Sequence, residues 1–556
     1  MSEPAPAVRI EHLGPDEGPP MSAFARALRT HEGDALRFLD PPPVDDEGWS
    51  ALLARTAAAA PTVPVGFADA LAARQVALGA GPKAEANARA LADPDNPALA
   101  VVTGQQAGLF GGPLLTFHKA AGAIALARKL DGLDGRRVVP IFWLASEDHD
   151  FDEANRALVM DRAGHARGMR LDVAADGRST MHVEVPEAAS AALLAELAEA
   201  LPDTDRGHLA IDALAREPGE DPATWAGRCL LALFGDSGLV MVEPPVLTPW
   251  IGETYGWLLD HAETIRDAIR TTGEALEAAG LPAPLHPQAD DATPLFFRTE
   301  ADGPRLRVGV NGEAVRLRDE PAPMSRAELR ETLVTHPEQG SGNVVGRVFV
   351  QNRHLPALGY VAGPSEIAYQ AQVRAAAEAT GSFFPLALPR PEATWVDPKT
   401  DAALAAFGLD AAGVLAGAEP AERDADEALE RDLKVFGDAL ASLEDAASGL
   451  LDRGGRGADA VRRSIDRLEQ TWAKAEAGIH KAFEADAGVG RARWARALAL
   501  LKPHGKGQDR LLSPWSLVAR HGLDAVRAGL DSLDPLRPVH HLVHLGPDAA
   551  PEEPPR

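Results

Sequence analysis

The sequence predicts an α/β fold: a parallel-sheet core carrying two insertions, followed by a C-terminal antiparallel coiled-coil helical hairpin. Three observations predict it. Two apolar runs of strand length, residues 99–103 (LAVVT) and Val138–Ala145 (VVPIFWLA), flank a segment of helical spacing. Each run gives way to a glycine-rich or polar loop, the order found in a parallel βαβ unit. A heptad pattern then fills much of the last third of the chain.

Residues 1–20, rich in Pro, Gly and acid, read as a flexible arm. From 21 to 98, Ala-rich helical stretches are broken at Pro61 and Pro64. The helix between the two core strands shows its spacing at Leu115, Ala120, Ile124, Ala127 and Leu130. Residues 239–243 (LVMVE) supply a further strand after helical 225–234, and 344–350 with 360–361 reads as β-like. Two segments interrupt this core. Residues 156–220 mix strand-like 182–185 with a helix near 187–201; 285–345 carry a hairpin signal at Asn311-Gly312.

Beyond the core (21–415), Leu429, Leu433, Phe436, Leu440, Leu443, Ala447 and Leu450 alternate steps of four and three. After Gly454-Gly455-Arg456-Gly457 the spacing resumes at Ala458, Val461, Ile465, Leu468, Trp472, Ala475, Ile479 and Ala482. Such a seam over 420–500 serves a hairpin packing on itself, and it also offers a face for a homodimer. Residues 501–545 are expected to return to the core, with 546–556 a flexible tail.

The chain has 556 residues, with 55 Lys+Arg against 82 Asp+Glu, a net charge of −27. That acidity argues against binding nucleic acid, which needs a basic surface. A lone cysteine, Cys229 among apolar neighbours, excludes an internal disulfide and a Cys-rich zinc site. The apolar stretch 121–127 is too short to span a membrane, and the first residues show no basic start before an apolar run. A cytoplasmic protein is expected.

Three constellations can carry chemistry. The first is Thr103-Gly104-Gln105-Gln106-Ala107-Gly108, then Gly111-Gly112-Pro113, then His118-Lys119. Glycines after a buried strand let a ligand approach the backbone, and a following helix N-terminus suits phosphate, carboxylate or a nucleotide. The spacing is neither a P-loop nor a dinucleotide fingerprint, and a tight strand–helix turn explains single glycines equally well.

The second is Ser146-Glu147-Asp148-His149-Asp150, directly after the second core strand, where open α/β sheets bind ligands. Adjacent ionisable groups shift one another's pKa, which suits a general base. A solvated acidic loop capping a helix is the alternative. Neighbouring residues cannot easily converge on one ion, so no metal is expected.

The third runs from Gly359 to Gln372. Gly363-Pro364-Ser365 reads as a strand-to-helix turn with Ser365 as N-cap. Glu366, Tyr369 and Gln372 (or Gln370) then form a polar stripe, either a pocket wall or a surface helix.

Together, TGQQAGLFGGPLLTFHK (103–119), FWLASEDHDFDE (142–153) and YVAGPSEIAYQAQ (360–372) resemble the BshC family of bacillithiol biosynthesis. Gly507-Gln508-Asp509-Arg510 resembles that family's closing Gln-Glu-Arg signature, with Asp in place of Glu. A departure is Gly346 before Arg347, where the family tends to carry a bulkier residue.

The resemblance implies a Rossmann-like core, a coiled coil used for homodimerisation, and two small-molecule substrates, cysteine and glucosaminyl-malate. Amide formation between them, giving bacillithiol, is uphill from a free carboxylate, so a nucleotide (ATP or ADP) is the implied activator. On that reading Thr103, Gly104, Gln105, Gln106 and Gly108 hold an anionic or nucleotide group. His118 and Lys119 stabilise negative charge, while Asp148, His149 and Asp150 position the amine and take its proton. Glu147, Arg347, Gly363, Pro364, Glu366, Tyr369 and Gln372 bind substrate. A nucleotide-dependent ligase acting on another amino sugar or amino acid, and a non-catalytic coiled-coil assembly protein, stay open as alternatives.

Overall fold

The computed structural model describes residues 8–285, 289–318, 320–420, 426–453, 455–487 and 490–546. The first seven residues of the expected arm and the expected tail from 547 lie outside the described residues.

The core is a five-stranded sheet with a helix after its first strand. We label β1 (Leu99–Gln106), α1 (Leu114–Leu130), β2 (Val138–Ala145), β3 (Val240–Val242), α2 (Val344–His354), β4 (Ala357–Ala362), α3 (Pro364–Ala379) and β5 (Leu386–Pro389). The spatial order is β3-β2-β1-β4-β5, and every pairing is parallel. From β1 the chain therefore runs outward through β2 to β3, then returns to the other side of β1 as β4. Strand order reverses between β1 and β4, and in such sheets the crevice at the carboxyl ends of the reversing strands takes the ligand.

Burial explains why the strands read as unbroken apolar runs. Leu99 and Val101 of β1 face Ala123, Leu126, Ala127 and Leu130 of α1. Ala100 and Val102 face the opposite way, into a core shared with Tyr360 and Ile367. With both faces covered, no polar alternation survives.

Between β2 and β3 lie an antiparallel hairpin (Arg156–Met160, Ala166–Arg170) and helices Glu187–Ala200, Asp205–Leu214 and Pro222–Phe234. Between β3 and β4, helices Pro244–Asp260 and Ala262–Ala278 precede a five-stranded antiparallel sheet and α2. In that sheet Asn311 pairs with Ala314, so the hairpin loop is Gly312-Glu313, with Gly312 at φ 59°. The loop sits one residue beyond the Asn311-Gly312 signal.

Residues 344–350, read as β-like, are helical. Asn343 caps that helix by accepting from the Val345 and Gly346 amides, and this local signal outweighs the β-branched composition. Residues 182–185 form no strand; Thr180–His182 is a single helical turn. Within the expected arm, Arg9–Leu13 pairs antiparallel with His540–His544, which itself pairs with Glu392–Val396.

Near the C-terminus, helices Asp426–Leu451 and Gly455–Ala487 pack on each other, with Phe436 stacked on Trp472 at 4.1 Å. Leu433, Leu440, Ala458 and Ile465 are buried between them. The chain then returns to the core. The Gln508 carboxamide accepts from the Trp395 amide (2.7 Å) and donates to the Trp395 carbonyl (2.8 Å), extending the small sheet by one side chain.

The departure at Gly346 has a steric cause: a Cβ there would lie 2.1 Å from the Pro294 carbonyl oxygen. Backbone cannot yield as a flexible side chain does. A Gly346→Ala variant is expected to lose about 3 kcal/mol of stability, read from the urea midpoint of unfolding.

Candidate active site

At the reversal, Thr103 Oγ1 donates to the Val361 carbonyl at 2.7 Å, joining the ends of β1 and β4. Gly104 pairs opposite Trp143, and a Cβ on it would lie 2.7 Å from the Trp143 carbonyl oxygen. Only glycine permits this approach. The next two residues, Gln105 and Gln106, point to opposite faces because side chains alternate along a strand.

On the α1 side, buried Lys119 donates to the Gly104 carbonyl (2.9 Å) and Gln105 Oε1 (2.6 Å), and it forms an ion pair with Glu366. An ammonium has three donors, so Lys119 has none left for a ligand. Burial lowers its pKa against the pull of Glu366. Glu366 is equally engaged: it accepts from the Gly363 amide (2.8 Å) and from the Tyr360 and Tyr369 hydroxyls (3.2 and 3.3 Å). Burial would raise the Glu366 pKa, but Lys119 and Arg347 outweigh it and hold it low. Arg347 donates to both phenols, at 3.3 and 2.7 Å. Lys119 can only donate, so Gln105 turns its oxygen towards it and its NH2 away.

On the other side, Gln106 Nε2 donates to Asp148 Oδ2 (2.9 Å) and Glu153 Oε2 (3.1 Å), which leaves Gln106 Oε1 facing outward. Two arginines from the segment between β3 and β4 close over the acidic loop. Arg305 donates to His149 Nδ1 (3.1 Å), Ser341 Oγ (3.0 Å) and the Gly342 carbonyl (2.8 Å), with its guanidinium over the Phe296 ring. Arg298 donates to Ser179 Oγ at 2.6 Å.

The loop's titrations diverge. For Glu147, burial outweighs Arg298, Arg305 and a hydrogen bond from Tyr255, so its pKa is raised. For Asp148 burial acts in the same sense, but the Gln106 hydrogen bond and Arg305 prevail and lower it. Burial, then Arg305, lowers the His149 pKa. An arginine only donates, so His149 Nδ1 accepts and the proton of its neutral ring sits on Nε2. In this state His149 is a hydrogen-bond donor, and Glu147 is the carboxyl group of the loop whose pKa is raised. Paired environments that push two carboxyl groups apart in pKa separate acid–base work from fixed charge.

Several sequence-predicted residues lie elsewhere. His118 is fully buried, and its Nε2 accepts from the Trp395 indole at 3.0 Å. Asp150 caps the short helix Phe151–Ala154 by accepting from the Glu153 amide. Gln372 binds the Leu285 backbone through both ends of its carboxamide, at 3.0 and 2.9 Å. Gly363, not Ser365, is the N-cap of α3, with Pro364 its first residue.

The loop at Gly108–Gly112 is filled rather than open. Trp515 Nε1 donates to the Phe110 carbonyl (2.9 Å), and the Leu114 amide, first in α1, donates to the Leu512 carbonyl (2.8 Å). A Cβ on Gly111 would meet the Leu230 amide nitrogen at 3.1 Å. These glycines serve close packing, so the residues present do not fit a nucleotide phosphate at that helix start.

Sequence reasoning missed Arg298, Arg305 and Tyr255. The arginines sit in an unremarkable hairpin pattern, but Tyr255 carried a signal: the chain has three tyrosines, and all three line this crevice.

The family model for the N-terminal Rossmann-like domain of bacillithiol biosynthesis BshC matches residues 22–391. The chain belongs to the BshC family. A relative from Salinibacter ruber is 30% identical over 535 residues, covering 92% of this chain and 94% of its own. One from Geobacillus thermodenitrificans is 28% identical over 469 residues (81% and 85%), and one from Symbiobacterium thermophilum 34% over 339 (58% and 60%). Each is named "Putative cysteine ligase BshC". The Rossmann-like expectation for the core therefore holds. No helix among the described residues is long and apolar enough to cross a membrane.

Burial lowers His118 and His540 to about 3 and His354 and His541 to about 4. The unfolded chain binds protons on these rings near 6.5 while the folded chain does not. Their stabilising contribution is complete above that value and is lost as pH falls towards 3, at about 1.4 kcal/mol per pH unit per ring. Urea unfolding midpoints are expected to drop from pH 7 to pH 4, and less steeply in a His118→Asn variant.

Proposed function

We propose that the chain is a ligase joining the carboxylate of cysteine to the amine of glucosaminyl-malate, the closing step of bacillithiol biosynthesis. The observation that carries this is the convergence at the reversal crevice of a carboxyl group with a raised pKa, Glu147, and two arginines, Arg298 and Arg305. Membership of the BshC family and relatives named as cysteine ligases support the same reading.

An ammonium has no lone pair, so the amine must lose a proton before it attacks. Glu147, easier to protonate than an ordinary glutamate, takes it. As the nitrogen bonds to the carboxyl carbon, negative charge grows on the carbonyl oxygen, and Arg305 with the His149 Nε2–H stabilises it. The bond from that carbon to its activated oxygen then breaks, the oxygen leaving with the phosphoryl or nucleotidyl group that a nucleotide co-substrate would have placed on it, and the amide forms. Amide formation from a free carboxylate is uphill in water, so a nucleotide co-substrate would have to supply the activation, held elsewhere than at the filled start of α1. Exposed Val435, Phe436, Leu450 and Leu468 on the two C-terminal helices favour pairing with a second copy of the chain.

Purified protein incubated with cysteine and glucosaminyl-malate, with and without ATP, is expected to yield bacillithiol by mass spectrometry only when ATP is present. No product in either arm overturns the reading, and a different amino-sugar conjugate would redirect it. Glu147→Gln is expected to lower kcat about 100-fold or more. Arg305→Met is expected to cost about 100-fold in kcat/KM, with the pH profile of Glu147 displaced upward as a positive neighbour is lost.

A further inference from the structure

Arg390 is the first residue after β5, on the same edge of the sheet as Gln105, Gln106 and Gly363. Its amide donates to the Ala362 carbonyl at 2.8 Å, which draws the loop against the end of β4. The side chain is 5% exposed. Nη1 donates to the Pro391 carbonyl (3.3 Å) and Nη2 lies 2.5 Å from Asp509 Oδ2. Nε bonds to no protein group among the described residues.

That donor lies beside Gly363. A Cβ on Gly363 would lie 3.8 Å from Arg390 Nε, 3.8 Å from Lys119 Cε and 3.4 Å from Glu366 Oε2. The missing side chain leaves Arg390 Nε next to the start of a sixteen-residue helix whose first N–H groups lack intrahelical partners, with the Lys119 stem and the Glu366 carboxylate on the other sides. The charges do not cancel: Lys119, Arg347 and Arg390 stand against Glu366 and Asp509. Lys119 has spent its donors and Arg347 is held by two phenols, so Arg390 is the cation with capacity left.

We infer that Arg390, braced by Asp509, receives an oxyanion of the substrate beside Gly363 at the start of α3. The group is a carboxylate or a phosphoryl oxygen, both of which suit a guanidinium and a helix N-terminus. Asp509 is a positioning residue, and Gln508 beside it, locked to Trp395, fixes the turn that presents it. This rests on the crevice being the catalytic site proposed above.

The test uses the full-length protein and three probes, L-malate, L-cysteine and inorganic phosphate, with binding measured by calorimetry. Gly363→Ala is the cleanest variant, because φ is −73° and every new contact is at 3.4 Å or more, so the fold tolerates it while a methyl group comes to lie 3.8 Å from Arg390 Nε. It is expected to weaken at least one probe tenfold or more with the melting temperature unchanged. Arg390→Lys is expected to weaken the same probe. Asp509→Asn is expected to raise KM for the matching substrate while kcat changes little, and Asp509→Glu to restore it.

Loss of malate binding assigns the group to the sugar conjugate, loss of cysteine binding to the amino acid, and loss of phosphate binding to the activating co-substrate. Wild-type binding of every probe by both Gly363→Ala and Arg390→Lys overturns the inference, as does a wild-type protein that binds none. If the probes respond as expected but no ligation product forms, the ligase reading fails and the oxyanion site stands.

Discussion

The buried ion pair between Lys119 and Glu366 is the contact around which the crevice is organised. It links α1, which follows β1, to α3, which follows β4, and so spans the point where strand order reverses. A buried pair is not a source of stability in itself, because desolvating two ions offsets their attraction. Its value is conditional. Every remaining donor and acceptor of the pair is engaged by Gly104, Gln105, Gly363 or the two phenols, and removal of either charge would strand the other in the interior. The arrangement therefore exists in one geometry or not at all, which fixes the ends of β1 and β4 relative to each other.

That rigidity sorts the crevice into two kinds of group. Lys119, Glu366, Gln372, His118 and Asp150 have their hydrogen-bonding capacity directed into the protein, and they hold backbone in place. Gln105 NH2, Gln106 Oε1, His149 Nε2 and Arg390 Nε face away from protein partners, each oriented by a neighbour that can bond in only one sense. A site presenting donors and acceptors of fixed sense suits a substrate bearing both carboxylate and amine, because each sense rejects the wrong group.

Much of the core was legible because its signals are local. A run such as VVPIFWLA, buried on both faces, announces a strand, and the loops after β1 and β2 fell where ligands gather in α/β sheets. What escaped was set by partners distant in sequence. Val344–His354 looks β-like by composition, yet the Asn343 cap and the close pass over Pro294 that Gly346 permits make it a helix. His118 and Lys119 are neighbours in sequence but project from α1 about 100° apart, so only one reaches the crevice. Arg298 and Arg305 become site residues only because an antiparallel sheet inserted before β4 folds back over the loop after β2.

The contrast between the two helix starts carries the same point to function. Both α1 and α3 follow a core strand through glycine, and both would serve an anion by dipole alone. Their fates are decided by the chain's last stretch. Leu512 and Trp515 occupy the start of α1 and satisfy its backbone, while Asp509, three residues earlier than Leu512, turns instead to Arg390 beside the start of α3. One C-terminal turn thus closes one anion site and equips the other. This explains how a motif so far along the chain can bear on the β1–β4 crevice, and why a glycine pattern alone does not tell a filled helix start from one beside an arginine.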